Sequence, residues 1–86
     1  MKLKDSFITH YVEGEQIMID AKGEFQGIIT INETAALIVD CLQKDVTKRE
    51  IVEKMAEEYD AASDVIEKDV ERILQKLQSI GALENR

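Results

Sequence analysis

Apolar and polar residues alternate along the first third of the chain, in three runs rich in β-branched and aromatic side chains. The runs cover residues 7–12, 16–20 and 26–31, and such runs are typical of β-strands. The segments that separate them, residues 13–15 and 21–24, each contain a glycine that can adopt the positive φ of a turn. The pattern therefore predicts an antiparallel meander of three strands.

In the remainder of the chain the period of the apolar positions lengthens towards 3.6 residues, which is typical of helices. Asn32 is a favourable N-cap residue and precedes a first predicted helix over residues 33–43. Thr47 is followed three residues later by Glu50, which is the spacing of a capping box. This pair predicts the start of a second helix over residues 48–59.

The most regular helical pattern covers residues 63–79 and ends before Gly81, because glycine favours the left-handed conformation that follows many helices. Its apolar positions, which recur at helical spacing, are Ile66, Val70, Ile73, Leu74 and Leu77. Together the segments predict one α+β domain over residues 1–86, with a three-stranded antiparallel β-meander followed by three α-helices.

The charge of the chain limits its partners. With 11 Lys and Arg against 18 Asp and Glu, the formal net charge is -7, and a field of this sign repels nucleic acid and anionic lipid. No apolar run approaches the roughly 20 residues that span a bilayer, and the first residues lack the apolar core of a signal peptide. We therefore expect a cytoplasmic protein that binds neither nucleic acid nor membranes.

The residues that could carry catalysis are isolated from one another. His10 is the only histidine and lies within a predicted strand, so it has no partners for a catalytic triad. The single cysteine, Cys41, falls on the apolar stripe of the first helix and is interpreted as a core residue. Glu57, Glu58 and Asp60 do not follow the spacing of a calcium loop and are interpreted as a solvated helix end. The sequence therefore predicts a protein without enzymatic activity, without a cofactor and without metal ligands.

The third predicted strand, residues 26–31, offers an edge for binding. A three-stranded sheet leaves two edges with unpaired backbone groups, and this strand contains no charge and no proline, while Gly27 permits close approach of another backbone. On the last helix, one flank of the core face carries Val65, Asp69, Arg72 and Lys76. An extended peptide that adds to the strand and lies against this flank is one interpretation; ordinary boundary residues of an amphipathic helix are the other.

The amino-acid sequence at the junctions of these elements resembles that of a known family. The segments that carry the resemblance are residues 31–36 (INETAA), Asp69-Val70 with Leu77, and residues 80–83 (IGAL). They are similar to PqqD, the pyrroloquinoline quinone biosynthesis protein D family. Where many members carry Asp-Pro before the third helix, this chain has Ala62-Ser63, so we expect Ser63 to cap that helix.

The resemblance implies a winged-helix-like RiPP recognition element, a domain that binds the leader segment of a ribosomally synthesised precursor peptide and presents it to a modifying enzyme. That partner is expected to be a radical S-adenosylmethionine enzyme or another peptide-modifying enzyme. In the family the leader adds to the third strand and rests against the third helix. The leader-binding residues that this implies here are Gln26, Gly27, Ile28, Ile29, Thr30, Ile31, Val65, Asp69, Arg72, Ile73 and Lys76.

Two alternatives remain at this point. A winged-helix DNA-binding regulator also combines three helices with a small sheet, although residues 64–79 contain four acidic side chains against three basic ones. A homodimer in which the free strand edges pair with each other is the second, and we expect a monomer or a weak homodimer.

Overall fold

The structure, a computed structural model, describes residues 1–84 and contains five strands and three helices over that range. The strands are β1 (Lys2–Leu3), β2 (Phe7–Val12), β3 (Glu15–Asp20), β4 (Ile29–Ile31) and β5 (Leu83–Glu84). The helices are α1 (Glu33–Cys41), α2 (Lys48–Glu58) and α3 (Ser63–Ser79). The predicted α+β class, with a three-stranded antiparallel sheet and three helices, is confirmed.

The main sheet has the order β2-β3-β4, and both pairs are antiparallel. Val12 pairs with Glu15 across a two-residue loop. Both loop residues, Glu13 (φ 51°) and Gly14 (φ 83°), have positive φ, which is the signature of a type I′ turn and matches the twist of the strands it joins.

The strand predicted over residues 26–31 is too long, because β4 begins only at Ile29. The Asp20 carboxylate accepts hydrogen bonds from the backbone N–H groups of Lys22 (3.1 Å) and Phe25 (3.0 Å) and holds the chain in a turn beside the end of β3. Gly27 follows this turn against the Phe25 ring. The chain therefore re-enters the sheet only at Ile29, opposite Met18.

A second sheet joins the two ends of the described chain and was not predicted. β1 and β5 pair antiparallel, with Lys2 opposite Glu84 and Leu3 opposite Leu83. The Leu3 N–H also donates to the Leu42 carbonyl (2.9 Å), which ties this sheet to the end of α1. Two-residue strands carry no periodicity, so only the tertiary structure specifies them.

The starts of the first two helices follow the prediction. The Asn32 side-chain oxygen accepts the Ala35 N–H (2.8 Å), as expected of an N-cap. The Thr47 hydroxyl accepts the Glu50 N–H (3.1 Å) while the Glu50 carboxylate accepts the Thr47 N–H (3.0 Å), which completes the capping box. α1 ends two residues and α2 one residue earlier than predicted, a difference typical of fraying helix ends.

The predicted cap of the third helix is wrong. Ala62 occupies the N-cap position of α3, and its carbonyl accepts the N–H groups of Val65 (3.1 Å) and Ile66 (3.1 Å). Ser63 is thus already the first helical residue, one position too late for its hydroxyl to cap the turn. Because alanine has no side-chain acceptor, α3 begins without a side-chain cap.

The end of α3 follows the prediction. Gly81 has φ 76°, and its N–H donates to the Gln78 carbonyl (3.0 Å) while the Ala82 N–H donates to the Leu77 carbonyl (2.9 Å). These two bonds form a Schellman motif. The motif turns the chain from α3 directly into β5.

The core lies between the inner face of the main sheet and the three helices. It is formed by Leu3, Phe7, Met18, Ile31, Ile38, Val39, Leu42, Ile51, Met55, Ile66, Val70, Leu74, Leu77, Ala82 and Leu83. α3 contributes four of these residues, whereas α1 and α2 contribute two each and every strand contributes one. Among residues 1–84, no helix has the length and apolar character required to cross a membrane.

Candidate functional site

The free edge of β4 is the first part of the candidate site. Within residues 1–84, β4 pairs with β3 on one side and with no strand on the other. Its outer backbone donors and acceptors are therefore available to another chain. Thr30 is exposed on this strand, and Ile28, which precedes the strand, exposes 70% of its surface.

A small apolar pocket separates β4 from α3. Its volume is about 80 Å³, and its wall is formed by Met18, Ile29, Ile31, Ala35, Val39, Ile73, Lys76 and Leu77. Four of the residues predicted for the site, two on the strand and two on the helix, thus share one cavity. The helix phase inferred from the apolar spacing was correct at this level of α3.

The remaining flank of α3 faces away from α2. The Lys48 ammonium of α2 lies 3.6 Å from the Glu67 carboxylate and 3.7 Å from the Glu71 carboxylate, so α2 packs on that side of α3. The opposite side of α3 carries a stripe called the groove flank below, which consists of Val65, Asp69, Arg72 and Lys76. At 100° per residue, Glu67 and Glu71 lie about 150° around the helix from the groove flank.

The charges of the groove flank are partly neutralised. The Arg72 guanidinium donates to the Asp69 carboxylate at 3.0 Å, three residues back along the helix. Lys76 is exposed and has no carboxylate partner among the residues that the structure describes. Its side chain lines the apolar pocket, so its stem contributes apolar surface while its ammonium remains available to a ligand.

Not all predicted residues enter this arrangement. Gln26, Gly27 and Ile28 are exposed and precede β4, outside the sheet and outside the wall of the pocket. Val65 is 49% exposed at the start of the groove flank, and with Asp69 and Arg72 it lies on α3 beyond the pocket itself. The free edge of β4, the pocket and the groove flank together are called the β4–α3 groove below.

The contribution of α1 to the pocket was not predicted. Ala35 and Val39 form part of its wall, and their spacing of four residues places them on one face of the helix. That spacing could have been read from the sequence, but not the neighbour that this face meets. Met18, which is fully buried on β3 opposite Ile29, forms the floor common to the sheet and the pocket.

The isolated reactive groups lie elsewhere. His10 is exposed on β2, and the Lys54 ammonium pairs with Glu57 (3.6 Å) and Glu58 (3.7 Å) at the end of α2. Cys41 packs against the core but is only partly buried, and this burial raises the pKa of its thiol. Over residues 1–84 no three His, Cys, Asp or Glu side chains are grouped in a way that would hold a metal ion.

The chain is similar to a known protein family and to solved structures. The family model for coenzyme PQQ synthesis protein D (PqqD) matches residues 15–83. The structure of TbiB1 in complex with the TbiA(beta) leader peptide superimposes with a TM-score of 0.81 and 20% identity, over 100% of this chain and 98% of that one. A lasso peptide synthetase B1 complexed with the leader peptide gives 0.77 and 19%, over 98% and 96%. No curated protein matches in sequence.

Proposed function

The chain belongs to the PqqD family, and we propose that it is a non-catalytic adaptor that captures the leader segment of a ribosomally synthesised precursor peptide. It then presents that peptide to a modifying enzyme, of the radical S-adenosylmethionine type or another. Both similar solved structures are complexes with a leader peptide, which supports this role. The catalytic groups and any iron–sulfur clusters belong to the enzyme.

The observation that carries the proposal is the free edge of β4 beside the uncovered flank of α3. A leader segment that adds as a fourth strand pairs its backbone with residues 29–31, and main-chain hydrogen bonds of this kind give affinity with little sequence preference. Because side chains alternate along a strand, every second leader residue faces the pocket between Ile29 and Ile73. The side chains that fit this groove then provide selectivity.

Capture by the adaptor acts through effective concentration. A leader that is disordered when free loses conformational entropy on binding, so its affinity is expected to be modest for the surface it covers. Once it is held, the core segment of the same peptide meets the enzyme as an effectively intramolecular substrate. The adaptor therefore accelerates modification without contacting the reacting atoms.

An NMR titration tests the proposal. The ¹⁵N-labelled protein is titrated with the leader segment of each precursor peptide encoded beside it, and with a scrambled peptide of the same composition. We expect saturating amide shifts at residues 28–31 and along residues 65–76, and none with the scrambled control. A folded protein that shows no shift with any of these leaders, or shifts only away from the β4–α3 groove, refutes the proposal.

Backbone methylation tests whether the leader binds as a strand. Two leader peptides are N-methylated at alternate residues, one at the even and one at the odd positions, so that their side chains are identical. In a strand pair only one set of N–H groups points at the neighbouring strand, so one peptide is expected to lose binding and the other to retain it. Equal binding of the two peptides contradicts strand addition to β4.

The charge of α3 argues against a DNA-binding regulator. One of its three basic side chains, Arg72, is already paired with Asp69, and α2 brings only Lys48 to its other flank, where Glu67 and Glu71 neutralise it. A recognition helix needs several free cations towards phosphates. A gel-shift assay at low salt is expected to show no duplex binding.

A further inference from the structure

The size of the pocket in the β4–α3 groove limits the side chain that a leader can insert. Its volume is about 80 Å³ and its wall is apolar. An apolar cavity that holds benzene measures about 150 Å³, roughly twice the volume of this pocket, so we expect an aliphatic side chain to be favoured over an aromatic ring. A branched aliphatic side chain of Val, Ile or Leu is compatible with it and leaves no polar group unsatisfied.

The charge beside the pocket points to a second determinant. Lys76 belongs to the pocket wall and has no carboxylate partner among residues 1–84, whereas Arg72 on the same flank is paired with Asp69. In a chain of net charge -7, an uncommitted ammonium beside an apolar pocket is a local positive site in an otherwise acidic field. A ligand carboxylate that reaches Lys76 gains an ion pair at the edge of the groove, partly shielded from water.

These two features are combined by strand geometry. Residues i and i+2 of an extended peptide point to the same face and lie about 6.6 Å apart, so the neighbour of a residue in the pocket faces the same side of the groove as Lys76, which lines that pocket. On the premise of the proposed function, we infer that the groove selects leaders with an aliphatic side chain in the pocket and an acidic side chain two residues away, paired with Lys76. Lys76 is then a specificity-determining residue, and Ile73 sets the size limit.

An unbiased selection tests the charge rule. A displayed library of random 12-residue peptides is sorted against the wild-type protein and against Lys76→Glu and Lys68→Glu. Lys68 is exposed on the same helix and does not line the pocket, so its reversal changes the net charge by the same amount. We expect the wild type and Lys68→Glu to enrich Val, Ile or Leu two residues from Asp or Glu, and Lys76→Glu to enrich Lys or Arg at the acidic position.

Affinities of single selected peptides give the same test quantitatively. Fluorescence anisotropy of an enriched peptide is expected to show roughly two- to fivefold weaker binding to Lys76→Glu than to Lys68→Glu, the range of a partly exposed ion pair. A peptide with Lys at the acidic position reverses this order. An acidic preference that survives Lys76→Glu, or is lost equally in Lys68→Glu, overturns the inference.

Enlarging the pocket tests the size rule. Ile73 is partly buried, and Ile73→Ala removes part of one wall, so selection against this variant is expected to admit Phe or Met at the anchor position. Aromatic anchors already enriched on the wild type overturn the size limit. Peptides that bind the groove without either pattern overturn only this inference, whereas a library that yields no groove-binding peptide overturns the proposed function as well.

Discussion

Two explanations are available for the glycine at position 27, in the loop before β4, and the substitution Gly27→Ala distinguishes them. The explanation suggested by the sequence is that the absence of a side chain lets the backbone of a bound peptide approach the strand closely. In the structure, its missing side chain makes room for the ring of Phe25. An ideal Cβ on Gly27 would lie 2.5 Å from Cζ, 2.9 Å from Cε2 and 3.3 Å from Cε1 of that ring, so the ring must move when alanine is introduced.

The magnitude follows from what the ring would lose. Phe25 stacks on Phe7 with ring centroids 6.4 Å apart and an interplanar angle of 27°, an interaction that contributes about 0.5–1.5 kcal/mol beyond burial. Displacement also exposes part of a ring that packs against the core. We therefore expect Gly27→Ala to lower the free energy of unfolding by about 1–2 kcal/mol, with a decrease in Tm of about 4–8 °C for each kcal/mol.

A Phe25→Ala background reverses the sign of this effect. The φ angle of Gly27 lies outside the left-handed region that the glycines at positions 14, 23 and 81 occupy, so alanine is not strained there. Without the ring, replacing glycine by alanine only restricts the unfolded chain and is expected to stabilise the protein by about 0.4–1 kcal/mol.

Urea unfolding of the four proteins in this cycle measures the coupling. The same destabilisation by Gly27→Ala with and without the Phe25 ring refutes the steric explanation. Peptide affinity is measured on the same variants, under conditions in which each is folded. If Gly27→Ala weakens leader-peptide binding more than about tenfold, Gly27 belongs to the binding edge, as the sequence suggested.

Three further predictions concern stability and reactivity. Thr47→Ala is expected to cost about 1 kcal/mol in urea unfolding, and adding Glu50→Ala should cost less than the sum of the single changes, because both belong to one capping box; strict additivity contradicts this. The hydrogen bond from the backbone of Phe25 holds the pKa of the Asp20 carboxyl below its usual value of 3.8, so its contribution to stability is present above that value and is lost as the pH falls through the lower, folded pKa. Asp20→Asn should therefore flatten the dependence of the unfolding free energy on pH below about pH 4. The same pH dependence in the variant and the wild type would contradict a stabilising role of the Asp20 carboxylate. Burial raises the pKa of the Cys41 thiol, so alkylation by iodoacetamide at pH 7, followed by mass spectrometry, should be slower than that of a free cysteine; an equal rate would show that the thiol is not shielded.

The features that sequence analysis predicted well are those that adjacent residues determine. The cap at Asn32, the capping box of Thr47 and the ending at Gly81 each depend on a few neighbouring groups, and each is confirmed. The predicted extent of β4 was wrong because the turn before it is held by the carboxylate of Asp20, which lies nine residues before the start of the strand at Ile29. Local pattern cannot show such a bond.

The residues of the candidate site also fall into those that the sequence predicted and those that it did not. The spacing along α3 placed Ile73 on the core face and Lys76 on its flank, because helical periodicity fixes which residues share a face, and both line the pocket. Ala35 and Val39 were missed because their role depends on how α1 packs between sheet and helix. A groove between elements is a tertiary feature, and sequence periodicity specifies only its separate walls.

The pairing of β1 with β5 has a consequence for how this fold can be combined with other proteins. Lys2 lies directly opposite Glu84, and neighbouring strands are about 5 Å apart, so the polypeptide enters and leaves the domain at one place on its surface. Such a domain can be inserted into a surface loop of another protein, or circularly permuted through a short bridge between residues 84 and 2, without opening its core. If the proposed function holds, a single chain built in this way would carry both the peptide-binding domain and a modifying enzyme.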